Sequence, residues 1–177
     1  MPESNEEISA LREQVKSSYT KVQYTYVTHQ KQIYLLSLYS KIIKWCQIIL
    51  TAASTVGFVK NNSRLGGICS GIALVLTLAS LNFRPEDTIP SHCKFVDQLW
   101  PIVQSYESLL VDSKTSLSKK EIEEKRDRLL VDTKNVYNSA PRTGKWAYCL
   151  AKKAIEKNEE QLVSEGETEK KFGGHLK

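Results

Sequence analysis

The chain has 177 residues, 41% of them apolar and 25% charged, with a formal net charge of +5. That length fits one domain, or a membrane segment with a modest soluble part. The mild charge suits anionic lipid headgroups or nucleotide phosphates and gives no case for binding duplex nucleic acid. Cys46, Cys69, Cys93 and Cys149 form no C-x-x-C pair, which argues against a disulfide framework or a zinc site and for a reducing, cytosolic setting.

Neither Gly nor Pro occurs between Glu3 and Val56, and Ser4 with Glu7 has the spacing of a capping box, so a long helix is expected to open there. Its apolar stripe runs through Ile8, Leu11, Val15, Tyr19, Val22, Tyr26, His29, Ile33 and Leu36 at spacings of three and four. Such a stripe needs a partner helix. His29 reads as a packing residue within it. The polar start shows no charged-then-apolar leader, so a cleavable signal peptide is not expected.

Two apolar blocks follow, residues 42–59 and 65–83. Each is near the roughly 20 residues needed to cross about 30 Å of hydrocarbon. Between Trp45 and Phe83 the only charges are Lys60 and Arg64, and the second block lacks the polar face of a soluble core helix. The short polar turn at residues 60–64 makes the pair an antiparallel hairpin. Tyr34 and Tyr39 suit an aromatic belt, and Lys44 can snorkel. Lys21, Lys31, Lys41, Lys44, Arg84 and Lys94 outnumber the two turn cations, which places both termini in the cytoplasm.

Lys44, Gln47, Thr51 and Thr55 share one face of the first span, with Ser54 at its border. Buried in hydrocarbon, a glutamine needs a polar partner or water. The row therefore serves either a pore shared among several copies or contact between subunits, with the hydroxyls bonded back to their own helix. Ala53 with Gly57, and Gly67 with Gly71, are small-xxx-small pairs suited to close helix packing.

Beyond the hairpin, Pro85 and Pro90 are expected to break the chain before a helix from about Ser91 to Asp112. Its stripe is Phe95, Leu99, Ile102 or Val103, Tyr106 and Leu110, and Pro101 is expected to kink it. Ser118 with Glu121 opens another helix to about Asn138, where Ile122, Leu129 and Val136 recur by heptads beside Arg126 and Thr133. After a loop at 139–144, a last helix starts near Lys145, with Leu150, Ala151, Ala154 and Ile155 apolar. From Ser164 the composition suggests disorder. The expected divisions are 1–40, an amphipathic cytosolic helix; 41–83, the hairpin; 84–163, cytosolic helices; and 164–177, a tail.

No phosphate-cradling glycine loop, metal spacing or triad is present in the sequence, so neither an enzyme nor a bound cofactor is expected. His92 beside Cys93 is too little for a metal site. Arg142, Lys145, Lys152 and Lys153, with Lys157, form a basic cluster that suits nucleotide phosphates or lipid headgroups equally.

The order of these parts resembles the SLATT domain family to about residue 160. The resemblance rests on Trp45-Cys46-Gln47-Ile48-Ile49-Leu50-Thr51-Ala52 in the first span, Phe83-Arg84-Pro85-Glu86 closing the second, His92 soon after, and Pro141 ahead of Ala147-Tyr148-Cys149-Leu150-Ala151. It implies an all-α integral membrane protein acting as a pore-forming effector in bacterial antiviral defence. Such an effector works as a homo-oligomer in the lipid bilayer, triggered by a cyclic oligonucleotide or by a separate sensor protein. The alternative is a non-conducting membrane adaptor that recruits a soluble partner through its cytosolic helices.

Overall fold

The computed structural model describes residues 3–115 and 117–157, without the side chains of residues 3–5 and 115. The Ser4 side chain of the expected first capping box and the tail from residue 164 lie outside the described residues. Five helices follow in order: α1 Glu3–Val59, α2 Ser63–Asn82, α3 Pro85–Thr115, α4 Lys119–Tyr137 and α5 Lys145–Glu156. No strand occurs among the described residues, in line with the all-α expectation.

The chain divides into two compact units, one joining Met1–Gln32 to His92–Lys177 and the other Ile33–Ser91. Both α1 and α3 contribute to each of them.

The first unit is a set of helices whose pairing is readable from individual contacts. α3 runs antiparallel to α1: the Arg12 guanidinium donates to the Ser113 carbonyl, with Nε at 3.0 Å, Tyr26 packs on Trp100, and His29 meets His92. α4 runs parallel to α1, with Lys119 on Glu7 at 2.6 Å and Arg126 Nη1 on Gln14 Oε1 at 2.9 Å. α5 is antiparallel to α1, because Gly144 N–H donates to Gln32 Oε1 at 2.9 Å while Tyr148 lies against Tyr24. Small Ala147, Ala151 and Ala154 form its buried face.

Leu11, Val15, Val22 and Tyr26 are buried, so the expected N-terminal stripe has its partner within this unit. Against it lie Phe95, Leu99, Ile102, Val103, Tyr106 and Leu109. The α3 stripe therefore ends on Leu109; Leu110 is only half-buried. Ile122 and Thr133 are the buried positions of α4, and the Thr133 hydroxyl donates to Leu129 O at 2.6 Å.

α4 begins where the capping spacing placed it. The Glu121 carboxylate accepts from both Ser118 N–H, at 2.8 Å, and Ser118 Oγ, at 2.7 Å. These two hydrogen bonds hold the Glu121 carboxyl below its ordinary range.

The start of α3 differs from expectation. Instead of a break at Pro85 and Pro90, the helix begins at Pro85 and continues through Pro90 and Pro101. Proline at the first helical position lacks only an N–H that would have no intrahelical partner, and its fixed φ already matches the helix.

In the second unit, α1 and α2 pair as an antiparallel hairpin. The turn is a Schellman motif: Asn62 N–H donates to Gly57 O at 2.8 Å and Asn61 N–H to Phe58 O at 3.1 Å. Asn61 supplies the left-handed residue, with φ 55°, a conformation asparagine tolerates better than most residues. Asn62 Oδ1 then accepts from Leu65 N–H and caps α2.

Two helical stretches, Glu6–Val59 and Ser63–Lys114, are long and apolar enough to cross a membrane. Within the hairpin, most of their large apolar side chains are not covered by the chain itself. Ile49 is 62% exposed, Leu74 60% and Val75 66%. Large apolar side chains clustered this way on a surface require a non-aqueous or protein neighbour.

Candidate functional site: the polar seam of the hairpin

At the close end of the hairpin, Gly57 and Gly66 are both buried and the backbones touch. A Cβ on Gly57 would sit 2.8 Å from Gly66 N, and one on Gly66 would sit 3.0 Å from the Phe58 ring. This approach brings Ser54 Oγ to 3.0 Å from Gly66 O and 2.5 Å from Ser70 Oγ. Gly67 and Gly71 instead face open space, and Ala53 is half-buried.

Moving away from the turn, the Gln47 amide donates to Thr77 Oγ1 at 3.4 Å and to Ser80 Oγ at 3.5 Å. Both are longer than the usual N–H···O range, so the amide is weakly held. Thr51 donates to Gln47 O at 2.8 Å, Thr55 to Thr51 O at 3.1 Å, and Thr77 to Ala73 O at 2.8 Å. These three threonines bond back to their own helices, yet all remain exposed.

The far end opens into a cavity of about 310 Å³, lined by Ser40, Lys44, Gln47, Ser80, Arg84 and Glu86 among others. The Glu86 carboxylate accepts from Lys44 and from Ser40 Oγ, the latter at 2.9 Å. The Lys44 hydrogen bond is the larger influence, the Ser40 one next, and together they hold the Glu86 carboxyl below its ordinary range. Tyr39 meets Phe83 edge-on beside this opening.

Of the predicted row, Lys44 meets Glu86 and Gln47 meets Thr77 and Ser80, whereas Thr51 and Thr55 bond within α1, and Ser70 is the partner of the bordering Ser54. Those partners could not be assigned from spacing alone, because the register between the helices is set by the Gly57–Gly66 contact and the Asn61–Asn62 turn.

In the first unit, the basic cluster runs from Arg142, in the loop before α5, along α5 itself. Arg142, Lys145, Lys152 and Lys153 are all exposed, and Lys152 pairs with Glu156 at 3.9 Å. A separate cavity of about 320 Å³ is lined by α3 and α4, with Gln104, Ser108, Lys125 and Arg128 at its wall.

Sequence reasoning treated His29 and His92 separately; the fold places them together. Their Nδ1 atoms are 2.9 Å apart, so one ring donates to the other. Phe95 stacks on His29 with centroids 4.3 Å apart, and His92 Nε2 is buried without a hydrogen-bond partner. Burial first, then the neighbouring His92, lowers the His29 pKa from 6.5 to about 4, and burial lowers that of His92.

Because the folded protein resists protonating this pair, the unfolded chain binds more protons below pH 6.5, and stability declines there as the pH falls. The His29 contribution levels off near pH 4. Its slope is at most about 1.4 kcal/mol per pH unit for one proton. Thermal unfolding of detergent-solubilised protein should show this loss between pH 6.5 and 4.5, above the range of the carboxylates Glu86 and Glu121. His29→Gln should flatten the profile in that window. An identical slope in the variant would remove the pair as its source.

Residues 11–167 match the family described as SMODS and SLOG-associating 2TM effector domain family 4. Comparison with curated proteins and with solved structures finds no match.

Proposed function

The chain belongs to the SMODS and SLOG-associating 2TM effector domain family 4, and from that membership we propose that it is an oligomeric effector of a conflict-defence system that permeabilises or depolarises the inner membrane when triggered. In this reading the hairpin lies in the inner membrane with both termini cytoplasmic. The trigger is a cyclic oligonucleotide or a separate sensor protein, and no catalytic step is involved.

One observation carries the reading. Thr51, Thr55 and Thr77 stay exposed on the hairpin, next to a Gln47 amide held only at 3.4 and 3.5 Å. The threonine hydroxyls are bonded within their own helices, so it is the weakly held Gln47 amide that calls for a further partner, and since two helices cannot enclose a lumen, further copies supply it in this reading. Assembled, the same row lines a wet path.

The adaptor reading rested on an N-terminal stripe free to recruit a partner. That stripe is covered by α3 inside its own unit, which withdraws its main support.

The test is dye and ion release from liposomes containing the purified chain, with and without a panel of cyclic oligonucleotides. Release with one nucleotide supports a ligand-gated effector, and constitutive release supports a pore controlled by a partner. No release from correctly inserted protein would favour the adaptor. Gln47→Leu and Thr51→Val are each expected to insert normally and to lower release roughly two- to tenfold, the equivalent of one hydrogen bond. Unchanged leakage in both would remove the polar row from the mechanism.

A further inference from the structure

The cavity at the far end of the hairpin carries balanced charge. Lys44, Arg84, Glu86 and Asp87 all line its volume of about 310 Å³, and every lining residue belongs to the unit Ile33–Ser91. Glu86 and Asp87 are the only carboxylates between Gln14 and Ser91, and both line this one cavity.

Much of that charge is not neutralised by the protein. Lys44 and Ser40 both bond to Glu86 Oε1, which leaves Glu86 Oε2 with no hydrogen bond among the described residues. Arg84 O accepts from Asp87 N–H at 3.2 Å, so the two side chains leave one tight turn. Both are exposed, and neither has an ion pair among the described residues.

The same residues mark the edge of the apolar hairpin. The first apolar block opens at Ile42 and the second closes at Phe83. Lys44 lies about 3 Å of helix inside that edge, and Arg84 follows directly beyond it. Leu81 and Phe83 add apolar wall. In a bilayer this is the level at which acyl chains give way to headgroups.

A bare anion would meet two carboxylates here, and a bare cation would meet Lys44 and Arg84. A zwitterion satisfies both pairs. A volume of about 310 Å³ is at the low end for small-ligand sites, which suits a headgroup and not a whole lipid.

We propose that the cavity binds the headgroup of an aminophospholipid, with its phosphate on Arg84 and Lys44 and its primary ammonium on Glu86 and Asp87. Guanidinium suits phosphate because it presents paired donors in one plane. A primary ammonium brings three N–H donors to the carboxylates, and Glu86 Oε2 is open to one of them. The quaternary nitrogen of phosphatidylcholine has none, and phosphatidylglycerol carries no cation. The acyl chains leave past Leu81 and Phe83 into the hydrocarbon. The site rests on the hairpin lying in a bilayer and is independent of whether an assembly conducts.

The test is native mass spectrometry of the full chain released from a neutral detergent. The probes share identical acyl chains: phosphatidylethanolamine, its monomethyl and dimethyl derivatives, phosphatidylcholine and phosphatidylglycerol. Phosphatidylethanolamine should bind at least about tenfold more tightly than phosphatidylcholine, the equivalent of one hydrogen bond between charged groups, with the methylated forms between them. Glu86→Gln with Asp87→Asn should reverse the ranking, so that phosphatidylglycerol binds best. Arg84→Gln should weaken the ethanolamine and glycerol lipids alike. Lys60→Gln with Arg64→Gln, at the turn, should leave the ranking as it was.

Equal affinity across the methylation series would overturn the proposal, and that series is measured on the wild-type chain, free of any folding defect. So would tightest wild-type binding to phosphatidylglycerol, which would make the cavity a plain anion site. Displacement of bound phosphatidylethanolamine by equimolar inorganic phosphate would likewise overturn it and assign the cavity to a soluble anion. A chain that binds lipids in the expected order yet releases no dye from liposomes would refute the pore and leave the lipid site standing.

Discussion

Gly57→Leu is expected to prevent the two helices of the hairpin from closing. The backbone nitrogen of Gly66 lies 2.8 Å from where even a first side-chain carbon would stand, and Gly66 Cα lies at 3.1 Å. Neither atom can turn aside as a flexible side chain would. Separating the helices also pulls Ser54 away from Gly66 O and Ser70, which leaves hydroxyls unpaired in an apolar setting. Overpacking at such a contact costs about 1–3 kcal/mol, or roughly fivefold to 150-fold in the closed population.

Cysteine pairs provide the measurement. In a chain without its four native cysteines, Ser54→Cys and Ser70→Cys should oxidise readily within one molecule, since the wild-type oxygens are 2.5 Å apart. Adding Gly57→Leu should slow that cross-link at least about fivefold, whereas Gly71→Leu, which meets nothing within 4 Å, should not. Equal rates would mean that the glycine contact does not hold the hairpin together.

The second large effect is expected in the helical unit. Leu99 is completely buried on α3, so Leu99→Ala loses both its transfer energy and the packing around the cavity left behind, about 2–5 kcal/mol. The melting midpoint of the full chain in detergent should fall by roughly 10 °C or more. Leu130→Ala, at a position 44% exposed on α4, serves as the comparison and should move the midpoint little. Equal shifts for the two would place the core elsewhere than on α3. Hairpin cross-linking in Leu99→Ala separates this loss from any change within the second unit.

The physical origin of these effects explains what could be read directly. Hydrophobic periodicity is a local property, and it located the α1 stripe from Leu11 to Leu36 and the α3 stripe from Phe95 to Tyr106. It also anticipated helix ends that depend on nearby side chains, such as Ser118 with Glu121 at the start of α4. The reading failed where two local rules competed. Pro85 and Pro90 read locally as helix breakers, yet proline is compatible with a helix at its first position, and α3 starts on Pro85. On the same helix spacing extends the stripe to Leu110, while the fold buries Leu109, because the choice between neighbouring positions depends on how the helix is rotated against α1.

Composition and spacing by themselves determined that this chain is helical, that it carries two segments suited to a bilayer, and that its short polar turn returns the second against the first. Those conclusions follow from length, apolarity, helical spacing and the absence of Gly and Pro between Glu3 and Val56, none of which needs a partner to be known. The partners themselves were decided only in three dimensions. Contact between Gly57 and Gly66 sets the register that gives Gln47 its neighbours Thr77 and Ser80, and Lys44 its neighbour Glu86. The antiparallel seating of α3 on α1 brings His29 to His92 across 63 positions of sequence. Gly144 on Gln32 and Tyr148 on Tyr24 orient α5 against α1. Periodicity tells which face of a helix is buried, but the sliding and rotation of one helix against another are fixed by side-chain shape at a few close contacts, which no single helix contains.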